Sequence, residues 1–355
     1  MTRLPEAQQT CDAVASGKIQ KGLIMAEQMM QAVWYEANGA ADEVLVLGEM
    51  PIPVAESGEV LVRLHTSGVN PSDVKARAGS RPMIAPRIIP HSDGAGIIEA
   101  VGSGVNPSLV GRRVFIRNGQ WQRPHGTAAD YIALDASLVH ELPDEVSFET
   151  GAALGIPALT AAYALFKDGA IADETVLIHG VGGKVARLAV QMAVDAGAHV
   201  IATTSQMANK ADILALGARS VVDYTDTRFV EAVADEAATR PITRIIDAEC
   251  GRNLSGSIEI LAPKGVIVGY GSVLTQEPSF PFLKMMFKNI TLSTILVYLL
   301  EENEAVSYAD IVTDMLVRSV LDVPISGVYP LASAADAHKQ VESGQNGGAT
   351  ILSLA

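Results

Sequence analysis

Residues 179–186 read His-Gly-Val-Gly-Gly-Lys-Val-Ala, with Gly180, Gly182 and Gly183 inside four consecutive positions. An apolar run, Thr175-Val-Leu-Ile-His, precedes them, and a helical pattern from Lys184 to Ala196 follows. A strand–turn–helix of this kind needs glycine so that backbone N–H groups can approach a pyrophosphate held at the helix N-terminus. Gly180 and Gly182 supply the first two positions of G-x-G-x-x-G, and Val185 or Ala186, depending on register, stands at the third. The turn from Gly180 to Val185 is therefore expected to bind a nucleotide rather than serve as a structural bend alone. Lys184 has two readings: it pairs with a phosphate, or it is a solvated first-turn lysine set against the helix dipole. An NAD site carries a carboxylate about 20 residues on, to accept from the ribose 2′-hydroxyl. Here Ile201-Ala-Thr-Thr-Ser ends in the hydroxyls of Thr204 and Ser205, and Lys210 follows. A 2′-phosphate suits that chemistry, so NADP(H) is the expected cofactor; the alternative is that Ser205 and Lys210 cap and solvate the next helix.

The chain that must position this turn has 355 residues, enough for two domains of ordinary size. Hydrophobic residues make up 48% and charged ones 19%, which supports a packed core. The net charge of −14 argues against a phosphate-backbone binder or a basic membrane-surface protein, so no nucleic acid and no membrane is expected as a partner. Only Cys11 and Cys250 are present, which excludes a disulfide framework and any multi-cysteine zinc or iron–sulfur site. Mean hydropathy is +0.25, much of it from scattered alanine. The longest apolar stretch, Ile290 to Leu300, is interrupted by Thr291, Ser293 and Thr294 and falls short of the roughly 20 residues of a membrane span. A cytoplasmic globular protein is expected. Residues 1–28 show no strong period and no long apolar segment, so they read as a poorly ordered leader without a secretory signal; Met25, Met29 and Met30 are alternative starts.

From residue 31 to about 150, short apolar runs alternate with Gly, Pro, Asn and Asp. Val60-Leu-Val-Arg-Leu-His, Gly96-Ile-Ile-Glu-Ala-Val and Arg113-Val-Phe-Ile read as strands of a β-rich, partly closed barrel. After Ala152 the rhythm changes. Strands at Thr175, His199, Ser220–Asp223, Arg244 and Gly265–Gly269 alternate with helices over Lys184–Ala196, Ala211–Leu216, Phe229–Ala238 and Asn253–Leu261. That alternation predicts a doubly wound parallel sheet of Rossmann type. A helix near Tyr308–Arg318 and a strand from Thr350 return to mixed character. The fold class is α/β: a β-rich domain of residues 29–150 plus 299–355, interrupted by a Rossmann-like domain of residues 151–298.

Several motifs then converge. Gly68-Val-Asn-Pro-Ser-Asp-Val-Lys, Pro90-His-Ser-Asp-Gly-Ala-Gly-Ile-Ile-Glu-Ala-Val-Gly, Gly126-Thr-Ala-Ala-Asp-Tyr and Gly151-Ala-Ala-Leu-Gly-Ile-Pro-Ala-Leu-Thr-Ala-Ala-Tyr, with Asn253-Leu and Glu342-Ser-Gly, resemble the medium-chain dehydrogenase/reductase superfamily. Within it, residues 31 to 355 look like the quinone oxidoreductase, or zeta-crystallin, branch. The resemblance implies a GroES-like catalytic domain around the Rossmann unit. Zinc alcohol dehydrogenases of the superfamily place a Cys and a Gly-His-Glu where this chain has Asn70 and His91-Ser92-Asp93, and the four-cysteine zinc lobe has no counterpart in residues 113–131. No metal site is expected.

Without a Lewis acid, simple alcohol oxidation is disfavoured, whereas a quinone or an α,β-unsaturated carbonyl accepts hydride into an already conjugated system. The resemblance points to Asn70 as a polar group near the nicotinamide, with Asp73 beside it, as the catalytic pair; Asn70 also reads as a turn residue before Pro71. It places Thr160 on the nicotinamide or its ribose, Tyr224 and Lys210 on the 2′-phosphate, and Gly269 in the cofactor-binding set. Lys75 stands where many relatives carry Tyr, and either donates a proton or is solvated. Trp121 and His125 either stack on a flat substrate or anchor their loop. Ile290–Leu300 suits a strand extending the sheet across a homodimer, within a dimer or tetramer, or a strand buried inside the monomer. Two other functions stay open: an enoyl-thioester reductase, and a noncatalytic NADPH-binding protein with a crystallin-like or RNA-contacting role.

Overall fold

The computed structural model describes residues 28–344 and 347–354. The expected leader falls almost wholly outside the described residues. Two larger sheets build the molecule. Six parallel strands pair in the spatial order Ser220–Asp223, His199–Thr204, Thr175–Ile178, Ile242–Asp247, Leu261–Gly269 and Thr291–Thr294. The first five carry the order 3-2-1-4-5 and the sixth follows at the far edge, which is the doubly wound dinucleotide-binding topology. Apolar strand residues face both ways: Ile178, Val200 and Ile246 join one core, and Leu177, Ile201 and Ile245 join another. A parallel sheet must be covered on both faces, and these clusters are that covering.

The second sheet runs Ile325–Pro330, Ala349–Ser353, Glu59–Val69, Asp93–Val101, Arg113–Ile116 and Val139–Glu141, with Tyr131–Asp135 paired to the first half of Glu59–Val69. All pairs are antiparallel except Ile325–Pro330 with Ala349–Ser353. The pairing has two ends, so this sheet does not close into a complete barrel. A core around Val60, Leu64, Ile98 and Leu134 fills it. A short hairpin of Met29–Trp34 with Val46–Pro51 stands beside it.

Two elements differ from the sequence expectation. The helix after residue 300 spans Glu302–Val317, starting before Tyr308, because Glu304 reaches back to the Glu301 N–H at 3.2 Å and caps an acidic first turn. Its Ala305, Tyr308, Ala309 and Val312 pack with Leu159 and Leu188 of the nucleotide unit. The chain therefore returns to the β-rich sheet after this helix in packing terms. The apolar run 290–300 forms a strand only over Thr291–Thr294, then a single turn at Val297–Leu299 that buries Tyr298.

Candidate active site

The glycine turn is built as its composition requires. Gly180 has φ of +70°, a left-handed conformation that favours glycine, and Cβ atoms placed at Gly180 or Gly182 would meet nothing within 4 Å. That open space belongs to a cavity of about 350 Å³. The turn is pinned to the neighbouring strand: the Gly180 N–H donates to Thr203 Oγ1 at 3.1 Å and the Val181 N–H to the Thr203 carbonyl at 2.8 Å. Helix Lys184–Asp195 then begins with first-turn N–H groups that have no intrahelical partner. A bare cradle of backbone N–H groups with room above it fits a pyrophosphate.

The cavity is lined by Gly180, Gly182, Gly183, Lys184, Thr204, Ser205 and Tyr224, all expected, and by Arg187 and Asn209, which were not. It holds two cations and no carboxylate, although the chain carries −14 overall. Arg187 sits one residue beyond the motif proper, and a cation on the first turn of the following helix was its only sequence signal. Its Nε is buried without a hydrogen-bond partner. Lys210 is not part of the lining; it is exposed at the start of helix Lys210–Ala215. Gly269 is also outside it, because the strand end packs there on Cys250, whose Cβ would lie 2.7 Å from an added Cβ.

A second cavity, of about 360 Å³, lies between the two domains. Asn70, Ser72 and Lys75 line it from the β-rich side, Thr160, Lys184 and Val185 from the nucleotide side, and Tyr298 from the turn after the sixth strand. Lys75 is exposed there. Trp121 anchors its loop by stacking on Tyr298, with ring centroids 4.3 Å apart, and His125 is exposed. The Tyr298 hydroxyl donates to Ser72 Oγ at 3.0 Å, and burial raises its pKa. Sequence reasoning passed over Tyr298 because it lay in a run read as a strand.

Behind this cavity the polar groups form a closed set. Asn70 precedes helix Pro71–Arg77, which opens on proline. Asp73 Oδ2 accepts from the Asn70 N–H at 2.8 Å. Asp73 lines neither cavity; it is buried and caps helix Pro71–Arg77. Burial pushes its pKa up to about 6, against the pull of the Asn70 N–H and of Lys184. Asn70 Nδ2 donates to Asp93 Oδ2 at 2.6 Å, and the Ile156 N–H donates to both Asp93 oxygens at 2.9 and 3.0 Å. Burial raises Asp93 to about 8; the Ile156 N–H opposes that rise and the Asp73 charge adds to it. Lys184 Nζ completes the set, donating to Asn70 Oδ1 at 3.2 Å and to the Val69 carbonyl at 3.3 Å. Neither sequence reading of Lys184 anticipated a bond across the domain cleft. Among the described residues, no group of three or more His, Cys, Asp or Glu side chains converges on a point that could hold a metal ion.

Two family models match the chain: the alcohol dehydrogenase GroES-like domain over residues 56–144 and the zinc-binding dehydrogenase domain over residues 185–312. Together they span most strands of both sheets, leaving out Thr175–Ile178, Ile325–Pro330 and Ala349–Ser353. The chain belongs to the medium-chain dehydrogenase/reductase superfamily. Its quinone oxidoreductase branch is the one it joins: the rat quinone oxidoreductase is 29% identical over 333 residues, covering 92% of this chain and 98% of that protein. Among solved structures, a mycobacterial protein complexed with NADPH is 26% identical with a TM-score of 0.80, and an NAD-dependent alcohol dehydrogenase is 26% identical with a TM-score of 0.83. Each covers 92% of this chain and is itself covered completely. The superfamily accounts for the order of the two sheets and for the cleft between them.

Proposed function

We propose that this oxidoreductase uses NADPH to reduce quinones or α,β-unsaturated carbonyls without zinc. The observation that carries the cofactor choice is the first cavity: Arg187 with the Ser205 hydroxyl, the Asn209 amide and the Tyr224 phenol, and no acid to receive a ribose diol. The bound cofactor supplies hydride from its nicotinamide. The protein's part is to hold a flat acceptor in the second cavity and stabilise negative charge developing on its oxygen. Zinc independence is supported by the donor set. Where zinc dehydrogenases gather their ligands, this chain gathers an amide, a hydroxyl, a carboxylate and an ammonium, and an ammonium bonded to Asn70 repels a dication. The test is loss of dihydronicotinamide absorbance with 9,10-phenanthrenequinone, an enone and crotonyl-CoA, with NADPH, NADH and a chelator as separate arms. Turnover of quinone or enone that survives chelation and prefers NADPH is expected. A requirement for metal, or turnover of crotonyl-CoA alone, would replace this reading with a zinc enzyme or an enoyl-thioester reductase.

No helix among the described residues is long and apolar enough to cross a membrane, and we place the enzyme in the cytoplasm. We also propose a homodimer, or a tetramer built from that dimer, formed through the open edge of the parallel sheet. Strand Thr291–Thr294 has a partner on one side only, and beside it Phe282, Leu283, Met286 and Phe287 are exposed, Phe287 by 81%. Apolar side chains clustered beside an unpaired edge are an aggregation hazard unless another chain covers them. Phe287→Asp is expected to shift the protein to monomer in light scattering coupled to size exclusion. A wild-type protein that is already monomeric would remove this reading.

A further inference from the structure

Lys184 is an unusual choice for its position. A cation at the first residue of a helix opposes the helix dipole, so helix stability does not explain it. Its side chain leaves its own domain, crosses the cleft, and binds Val69 and Asn70 of the other one. It lines both the nucleotide cavity and the interdomain cavity, as Pro71 and Gly183 also do.

Counting donors shows what remains free. The ammonium has three N–H bonds, two of which go to Asn70 Oδ1 and the Val69 carbonyl; the third has no hydrogen-bond partner among the described residues. Asn70 uses its carbonyl for Lys184 and one of its two amide N–H bonds for Asp93. Asn70 therefore orients the lysine, and the lysine is the charged donor left for a ligand. The carboxyl groups facing it are Asp93 and Asp73; burial lowers the ammonium's pKa, and the carboxyl charges oppose that shift.

We propose that Lys184 is the proton donor of the reduction, giving the proton of its third N–H bond to the acceptor oxygen. This rests on the reading of the enzyme as a reductase of conjugated carbonyls. When hydride adds to an enone β-carbon, the C=C electron pair shifts and the carbonyl π pair moves onto oxygen. An Nζ–H bond breaks as an O–H bond forms; the enol relaxes to ketone, and the neutral amine regains a proton from water. A quinone is balanced in the same way, one hydride and one proton giving the hydroquinone.

The test separates this role from phosphate binding. In the first arm, 4-nitrophenol is added to wild type, Lys184→Met and Lys184→Arg with NADP+ present, and its ionisation is followed by the phenolate absorption band. A nearby cation lowers the pKa of an adjacent acid by about one unit or more. The wild type is expected to show that shift, Lys184→Met to lose it, and Lys184→Arg to retain most of it. In the second arm, NADPH affinity is measured by fluorescence, and kcat with 9,10-phenanthrenequinone is measured at saturating NADPH. Lys184→Met is expected to lower kcat by roughly 100-fold or more with less than a threefold change in Kd. An unshifted band in wild type, whether from failure to bind or to ionise, overturns the proposal. So does a variant whose loss lies in NADPH affinity while the band shift survives, which would make Lys184 a phosphate ligand. If wild type turns over no conjugated acceptor, the proposed function fails, while the nitrophenol arm still reads the lysine.

Discussion

Gly182→Asp is expected to weaken NADPH binding by roughly 30- to 1,000-fold, or about 2–4 kcal/mol, with little change in thermal stability. The two halves of that expectation have separate causes. A side chain at Gly182 meets nothing within 4 Å, and its backbone is not in the left-handed region, so the fold accommodates it. The same openness puts the new carboxylate into the cavity where the phosphates are expected, in weakly screened surroundings. Gly180 is the poorer choice for this experiment, because its φ of +70° would add backbone strain to any effect on binding. Fluorescence titration and a thermal melt on the same sample give both numbers. Unchanged affinity would show that the glycine turn is not the phosphate cradle.

Relative to Asp93→Asn, the wild type is expected to lose about 2 kcal/mol of stability between pH 6.5 and pH 8. Buried carboxyls whose pKa is raised favour the fold in their protonated form. Their stabilisation is complete below the ordinary carboxylate pKa and is lost as pH rises through about 6 for Asp73 and about 8 for Asp93. Histidines oppose this. Burial lowers the pKa of His91, His140, His179 and His338, so neutral side chains favour the fold and stability rises through the ordinary histidine pKa of about 6.5, levelling off near pH 8. That rise is common to wild type and Asp93→Asn, so the difference between them isolates Asp93. Lys184, its pKa also lowered, adds an opposite slope only toward alkaline pH. Melting temperatures of wild type and Asp93→Asn at half-unit pH intervals resolve the difference; a difference that stays constant from pH 6.5 to 8 would mean that Asp93 is ionised throughout.

Much of the fold was legible because its elements follow local rules. Strands of the parallel sheet are short apolar runs at regular spacing, and helix Lys184–Asp195 follows its glycine turn directly. What stayed hidden depended on contacts distant in sequence. Asn70 and Lys184 are 114 residues apart, so a lysine that reads as solvated from its neighbours became a bridge only when the cleft formed. Tyr298 sits in an apolar run whose periodicity suits a strand, and the break after Thr294 has no glycine or proline to announce it. Asp73 was picked out by the motif it stands in, and its spacing three residues after Asn70 is also that of a capping box, a local signal the sequence already carried. Arg187 lay just outside the motif window, and helical geometry alone returns it to the cavity that Gly180 opens.

The place of Ala349–Ser353 in the second sheet bears on how a ribosome delivers this protein. That strand pairs antiparallel with Thr66–Val69 on one side and parallel with Ile325–Pro330 on the other, so it fills an inner row. The nucleotide unit is continuous in sequence and emerges whole, and it can close while translation continues. The second sheet cannot: Glu59–Val69 leaves the exit tunnel early and keeps half of one edge unpaired until residue 353 has emerged. For that interval the nascent chain carries an open strand edge, the feature that recruits chaperones and mispairs with neighbours. Expression yield should therefore respond more to changes after residue 349 than to changes before residue 28, and a purification tag belongs at the N-terminal end.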